Sequence, residues 1–256
     1  MNFLITLRAF VSMLFIAVWT FMGCFTAYFL RIFDASGETV IALARFWSQG
    51  VLWFAGVKID VEGVNRLDPD CPYVFMANHL STVDIWGIYA AFPFRFRMIA
   101  KKQLGRIPFF GWAMRAGRFI FIDRANALAA RRSIDLAKER IRDGHRVLIF
   151  PEGTRSRDGR LAAFKKGGFH LAMDAGVPIV PVGIVGSREV MPPGSFLLRP
   201  GRVRVTVCEP IVTANLPEAD RGALVDLVRG RIAEAIGEPV AAPAPISHGA
   251  VVATVE

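Results

Sequence analysis

Apolar positions fall into two regimes along this chain. Residues 9–30, AFVSMLFIAVWTFMGCFTAYFL, carry no charge between Arg8 and Arg31. As a helix this run is roughly 33 Å long at ~1.5 Å per residue, enough to cross a bilayer core of ~30 Å. It is too long for a cleavable signal peptide, and no small-x-small site follows it. Asp34 to Glu38 reads as a turn, and a second apolar stretch, Thr39 to Val57, carries Arg45, Ser48 and Gln49. That composition predicts a helix along a membrane face. Together the stretches predict a membrane-anchoring pair of helices over residues 1–57, either spanning the bilayer or entering one leaflet.

After Val57 the pattern becomes short apolar runs alternating with longer amphipathic ones. Strands are predicted at Lys58–Glu62, Tyr73–Ala77, Phe96–Ala100, Arg118–Ile122, Val147–Phe150, Ile179–Ile184 (interrupted by Pro181) and Val203–Cys208. Helices are predicted from Asp84 to about Phe92, then at Pro108–Ala116, Ala125–Arg142, Lys165–Ala175 and Leu216–Ile236. In Ala125–Arg142 the candidate inner positions are Leu128, Ile134, Leu136, Ala137 and Ile141. Strand–helix alternation predicts one α/β domain over residues 58–238, its mostly parallel central sheet flanked by helices. Residues 239–256, rich in Ala, Pro and Val without a helical period, read as a disordered tail.

Composition narrows the partners. Of 256 residues 53% are hydrophobic, and the mean hydropathy of +0.39 points to membrane contact. Lys and Arg number 31 against 22 Asp and Glu, a formal charge of +9, so acidic partners are expected: lipid headgroups, phosphates or nucleic acid. The basic residues are dispersed and no recognition module is evident, which argues against nucleic acid. Cys24, Cys71 and Cys208 are odd in number and lack metal-ligand spacing, which suggests a reducing compartment without a disulfide framework. Arg31, Arg45 and Lys58 place the domain after the anchor on the cytoplasmic side.

Candidate chemistry gathers where strands end. Asn78-His79-Leu80-Ser81-Thr82-Val83-Asp84 lies between the second strand and its helix, a place where α/β proteins set reactive side chains. Across such a turn, imidazole and carboxylate at this spacing are within reach. Ser81-x-x-Asp84 also matches a capping box, which would make Asp84 no more than a helix cap. Phe150-Pro151-Glu152-Gly153-Thr154-Arg155-Ser156 follows another strand. Gly153 permits a tight turn there, the Arg155 fork suits a phosphate monoester, and Thr154 and Ser156 add hydroxyl donors. The plainer alternative is a surface turn in which Glu152 and Arg155 simply pair. Lys101-Lys102 and Asp123-Arg124 put further basic groups on the same edge. No nucleophile elbow, metal-ligand cluster or glycine-rich nucleotide loop is evident. The groups that remain are a general base (His79), an orienting carboxylate (Asp84) and a phosphate clamp (Arg155, with Lys101 or Arg124). A base without a protein nucleophile points to activation of a substrate hydroxyl.

Asn78-His79-x4-Asp84 resembles the first signature of the glycerolipid acyltransferases, the His-x4-Asp family. Gly117 to Arg124 resembles the second, Phe150 to Ser156 the third and Val177 to Val182 the fourth, all in family order. The resemblance implies an acyltransferase moving a fatty acyl group from acyl-CoA or acyl-carrier protein to the sn-2 hydroxyl of 1-acylglycerol 3-phosphate, giving phosphatidic acid for phospholipid biosynthesis. It implies His79 and Asp84 as the catalytic pair, and Arg124, Glu152, Gly153, Thr154 and Arg155 at the glycerol phosphate, with Lys101 assisting. Pro178 and Pro181 would help shape the acyl site. It implies no metal and no cofactor beyond the acyl donor, and a place at a bacterial-type inner membrane on its cytoplasmic face, among lysophosphatidic acid and other lipids. Leu80 stands where many of these lysophosphatidate enzymes carry Gln. Two alternatives remain: another lysolipid acceptor such as lyso-ornithine lipid, or a non-catalytic lipid-binding protein.

Overall fold

The structure, a computed structural model, describes residues 3–123, 127–195 and 197–239. Two helices open the chain: α1 (Phe3–Phe33) and α2 (Glu38–Ala55). Asp34 makes the turn between them. Its Oδ1 accepts from the N–H groups of Ser36 and Gly37, and its Oδ2 from the N–H and hydroxyl of Thr39 at 2.8 and 2.7 Å. The Ser36 hydroxyl, which also donates to it, is the first cause holding this carboxyl well below the usual range, with Thr39 next.

The helices close against each other on aromatic rings. Phe15 stacks on Phe54 at 3.8 Å, and the Trp19 indole donates to the Trp47 carbonyl at 3.1 Å. Gly50 makes room for that indole, since a Cβ there would lie 2.8 Å from Trp19 Nε1. The stretch Phe10–Phe33 is long and apolar enough to cross a membrane, and little of it is covered by protein. The second stretch, expected to lie along a membrane, forms α2 and packs one face between α1 and the domain, burying Val40, Ile41, Ser48, Val51, Leu52 and Ala55 while Phe46 and Trp53 stay exposed. Arg97, fully buried, fastens the pair to the domain: its Nη2 donates to Glu38 Oε1 at 2.7 Å and to the Ser36 carbonyl at 3.0 Å.

Strands β1 (Val57–Glu62), β2 (Val74–Ala77), β3 (Phe96–Lys101), β4 (Ile120–Ile122), β5 (Arg146–Ile149), β6 (Ile179–Val185) and β7 (Gly201–Val207) form one sheet in the order β1-β7-β6-β2-β5-β3-β4. Every pairing is parallel except β6 with β7. Helices α3 (Val83–Ala91), α4 (Phe110–Ala116), α5 (Ala127–Arg142), α6 (Gly167–Ala175), α7 (Ser187–Val190) and α8 (Arg221–Ile236) complete the described elements, with short 3₁₀ turns at Lys102–Arg106 and elsewhere. Central strands covered on both faces read as unbroken apolar runs, and β2 is buried throughout. Its Phe75 and Ala77 face one core, shared with α2 and α3. Val74 and Met76 face the other, formed with α5, α6 and α8.

Pro181 sits inside β6 without breaking it. Its carbonyl accepts from Cys208 N–H just past the β7 ladder. The donor that proline lacks would point the same way, off the ladder's end.

Two of the five positions expected inside α5 face solvent: Leu128 is 63% and Leu136 40% exposed. Ala137 and Ile141 are buried, and Ile134 packs against them. A helix lying on a sheet buries one narrow stripe, and five apolar positions spanned too wide an arc. The final helix begins at Arg221, after a 3₁₀ turn over Glu218–Asp220, rather than at Leu216. The expected tail lies, apart from Pro239, outside the described residues.

Candidate active site

Because β2, β5, β3 and β4 run parallel, the residues just past their C-terminal ends share one edge of the sheet. His79 follows β2, Glu152 follows β5, Lys101 ends β3 and Asp123 follows β4.

Asp84 makes the centre of the site. Its side chain is fully buried in the first turn of α3. Oδ2 accepts from His79 Nδ1 at 2.8 Å and from the N–H groups of Leu80 and Ser81 at 2.7 Å each. Ser81 Oγ in turn accepts from Val83 N–H at 3.2 Å and donates to the Met191 carbonyl at 2.7 Å. The helix cap and the imidazole partner are therefore the same carboxylate, and the two readings of this stretch hold together. A carboxylate that only accepts requires the proton on His79 Nδ1, which leaves Nε2 with its lone pair outward. The ring is 14% exposed. Phe150 stacks on it, centroids 4.0 Å apart and planes 21° off parallel, which fixes its tilt.

Asn78, just before the His, is buried and pinned to β6. Its Nδ2 donates to the Ile184 carbonyl at 2.9 Å, and its Oδ1 accepts from Ile184 N–H at 2.7 Å. An amide presenting one donor and one acceptor continues the ladder where β2 leaves it. The His79 backbone is held from the other side, its N–H donating to Glu152 Oε1 at 2.8 Å and its carbonyl accepting from Ser156 N–H at 2.8 Å.

Glu152, expected at the glycerol phosphate, is held by backbone donors. It is buried, and its second oxygen accepts from Ala162 N–H at 3.0 Å. Burial raises its pKa, against the lowering effect of those two N–H donors. It couples the turn after β5 to the turn after β2. Arg155 and Thr154 are exposed on that turn, and Arg155 Nη1 donates to Thr82 Oγ1 at 2.9 Å, over the start of α3. Gly153 has φ +77°, and a Cβ there would lie 3.0 Å from Lys165 Nζ, so Lys165 reaches over the turn. Lys165 went unnoticed in the sequence because it belongs to a later segment. Its approach depends on its N–H bonding the Pro151 carbonyl at 2.8 Å.

Lys101 is exposed at the end of β3, with β5 between its strand and β2. Arg124 lies outside the described residues. The structure does not bring Pro178 to this edge: its carbonyl accepts from Val74 N–H at the start of β2, the opposite end of the sheet from His79. Pro181 pairs with Met76 in mid-sheet and is buried.

What opens beside the site is an apolar cavity of about 210 Å³ between the α1–α2 pair and the domain, with Gly23, Trp47, Trp86, Tyr89 and Phe119 in its wall and Thr82 at its border. The Trp47 and Trp86 rings meet edge to face at 5.7 Å. An imidazole nitrogen turned away from its carboxylate, a guanidinium and a lysine above one turn, and an apolar cavity bordered two residues before Asp84 suit a substrate with an alcohol, an anionic head and an alkyl chain.

Comparison with known proteins points the same way. The acyltransferase family model matches residues 58–185. The chain is 31% identical over 246 residues to the 1-acyl-sn-glycerol-3-phosphate acyltransferase of Saccharomyces cerevisiae, covering 95% of this chain and 81% of that one. It is 35% identical to the chloroplastic enzyme BAT2 of Brassica napus, covering 76% of this chain but 55% of the longer plant protein. The chain thus spans only about half the length of that relative. Among solved structures, that of the 1-acyl-sn-glycerophosphate acyltransferase PlsC from Thermotoga maritima aligns with a TM-score of 0.78 at 25% identity, over 91% of this chain and 96% of that one.

Proposed function

The chain belongs to the acyltransferase family, alongside the 1-acyl-sn-glycerol-3-phosphate acyltransferases, and on that footing we propose that it acylates the sn-2 hydroxyl of lysophosphatidic acid. The donor is an acyl thioester, of CoA or of acyl-carrier protein, and the product is phosphatidic acid. His79 Nε2 takes the proton of the sn-2 hydroxyl, and the oxygen attacks the thioester carbonyl. As the tetrahedral intermediate collapses, the C–S bond breaks and the imidazolium returns its proton to the leaving thiolate. Asp84 holds the tautomer that leaves Nε2 free and steadies the imidazolium while it exists. No cofactor beyond the thioester enters this scheme.

Arg155, with Lys165 and Lys101 nearby on the same edge, takes the phosphate of the acceptor. This grip is remote from the reacting atoms and orients them. The cavity bordered by Thr82 takes an acyl chain. Thr82 accepts from Arg155, so chain and headgroup would be registered to each other across one side chain. α1 lies in the bilayer, and the catalytic edge meets lipids at the cytoplasmic face of a bacterial-type inner membrane, where thioester donors are found.

The observation that carries this reading is the 2.8 Å contact between His79 Nδ1 and a buried carboxylate that already accepts two backbone N–H groups. The test is purified protein with lysophosphatidate and a panel of labelled acyl thioesters. Phosphatidate should form, and glycerol 3-phosphate should compete. Acylation of a lyso-ornithine lipid without such competition would reassign the acceptor. Transfer unaffected by His79→Ala would remove the general base.

A further inference from the structure

A second cavity, of about 300 Å³, lies at the same sheet edge beyond Lys101, under the 3₁₀ turn Lys102–Arg106 and between α4, β4 and α5. Arg106, Arg115, Lys102 and Ser133 line it around Phe121. Lys102 is paired with Asp123 at 3.2 Å. Among the described residues Arg106 and Arg115 make no ion pair, and the Arg115 guanidinium lies 5.8 Å from the centre of the Phe121 ring. The Ser133 hydroxyl is used on the Phe121 carbonyl at 2.8 Å. Asp123 also lines the cavity but is paired with Lys102, so among the described residues the two guanidinium groups have no carboxylate partner, and the mechanism above uses neither.

Its surroundings identify the ligand class. Trp112 and Arg115 follow at spacing three along α4, hence on one face, and the Phe109 ring, just before the helix, meets that of Trp112 at 5.0 Å. Phe109 and Trp112 are 45% and 49% exposed, and Ile107 beside them 46%. Phe109 has φ +60°, a backbone state costly for a bulky residue. Its ring nonetheless stays out of the core and meets Phe21 of α1 at 5.5 Å. The bare apolar face of α1 thus continues, ring against ring, onto the catalytic domain and stops at two arginines. Exposed aromatics bordered by basic side chains mark the level of lipid headgroups.

We propose that the Arg106–Arg115 cavity binds the phosphodiester headgroup of an anionic phospholipid, while Ile107, Phe109 and Trp112 enter the bilayer interface beside α1. The bound lipid is not a substrate. It sets the height and tilt of the domain on the membrane, and with them the delivery of acceptor to His79. The inference rests on the reading that α1 lies in the bilayer, and the experiment separates the two.

Flotation is measured with the full chain on vesicles of phosphatidylcholine alone and of phosphatidylcholine with phosphatidylglycerol. Binding to the neutral vesicles tests the anchor, and the increment from phosphatidylglycerol tests the cavity. Each basic residue at an anionic surface contributes enough that Arg106→Gln/Arg115→Gln should cut the increment roughly thirtyfold. Arg202→Gln/Arg204→Gln removes equal charge from exposed positions on β7, at the other end of the sheet, and should leave the increment intact. An increment that both pairs reduce equally would mean general attraction to the surface and overturn the site. So would an increment unchanged in the first pair. A KM for acyl-CoA raised tenfold in neutral micelles by Arg106→Gln/Arg115→Gln would assign the cavity to the donor's phosphates and overturn it as well.

Discussion

Replacing Asp84 by Ala should damage stability and catalysis at once, and the structure gives both sizes. Asp84 is fully buried, and one oxygen takes three donors at 2.7, 2.7 and 2.8 Å. In the alanine variant the N–H groups of Leu80 and Ser81 lose their acceptor inside the protein, at about 1–3 kcal/mol each. Relief from burying a charge offsets part of this. The net of roughly 2–5 kcal/mol corresponds to a fall in Tm of about 5–20 °C for a domain of this size. Catalysis loses the tautomer and the counter-charge, a deficit of roughly 100- to 10,000-fold. His79→Ala is the contrast. Its ring is partly exposed and leaves one bond and a stacking contact, about 1–2 kcal/mol, yet turnover should vanish. Thermal unfolding followed by tryptophan fluorescence, with acyl transfer measured on the same preparations, reads both. An Asp84→Ala protein that keeps the wild-type Tm and more than a tenth of its kcat would refute the shared-carboxylate account.

Arg155→Ala should raise the KM for lysophosphatidate at least tenfold and leave that for the thioester within about twofold, given the strength of a charge-assisted pair; equal losses would contradict the clamp. Gly153→Ala should cost about 1–2 kcal/mol from its left-handed backbone alone and displace Lys165. Its signature is a raised lysophosphatidate KM, and an unchanged KM would take Lys165 out of the site. Glu152→Gln turns an amide N–H toward one of two backbone donors and should lower both kcat and stability. Because burial raises the Glu152 pKa in the folded state, ionising it disfavours folding. Its contribution is greatest below the ordinary glutamate value and declines as pH rises through the folded-state value. The stability advantage of wild type over Glu152→Gln, from denaturant titrations, should therefore shrink across that window, and an advantage growing with pH would contradict the assignment. Gly23→Val narrows the apolar cavity, since a Cβ there would lie 3.3 Å from the Trp47 ring, and should shift donor preference toward shorter chains.

Local features of the chain were the legible ones. The strand before His79, the apolar N-terminal helix and the turn carrying Gly153 follow from runs and spacings within a few residues, and all lie where expected. Asp84 looked ambiguous between cap and partner because a sequence weighs such roles separately, whereas one oxygen serves both. The role of Glu152 was hidden because its acceptors engage His79, 73 residues away, and Ala162, 10 away. Lys165 and Asn78 act through contacts of the same non-local kind. Pro178 lies at the far end of the sheet from His79, which a motif's order along the chain does not tell. In α5, solvent-facing leucines were indistinguishable from inner ones until the direction of the sheet beneath was known.

The central claim is that the imidazole of His79, steadied by Asp84, removes the proton from a lipid alcohol. Its most direct measurement is acyl transfer to lysophosphatidate by His79→Ala protein whose folding is confirmed by its melting curve and whose membrane binding is confirmed by flotation. The account predicts intact folding and binding, with phosphatidate formation indistinguishable from the enzyme-free rate. Turnover persisting at even a few per cent of wild type in such a preparation would contradict it.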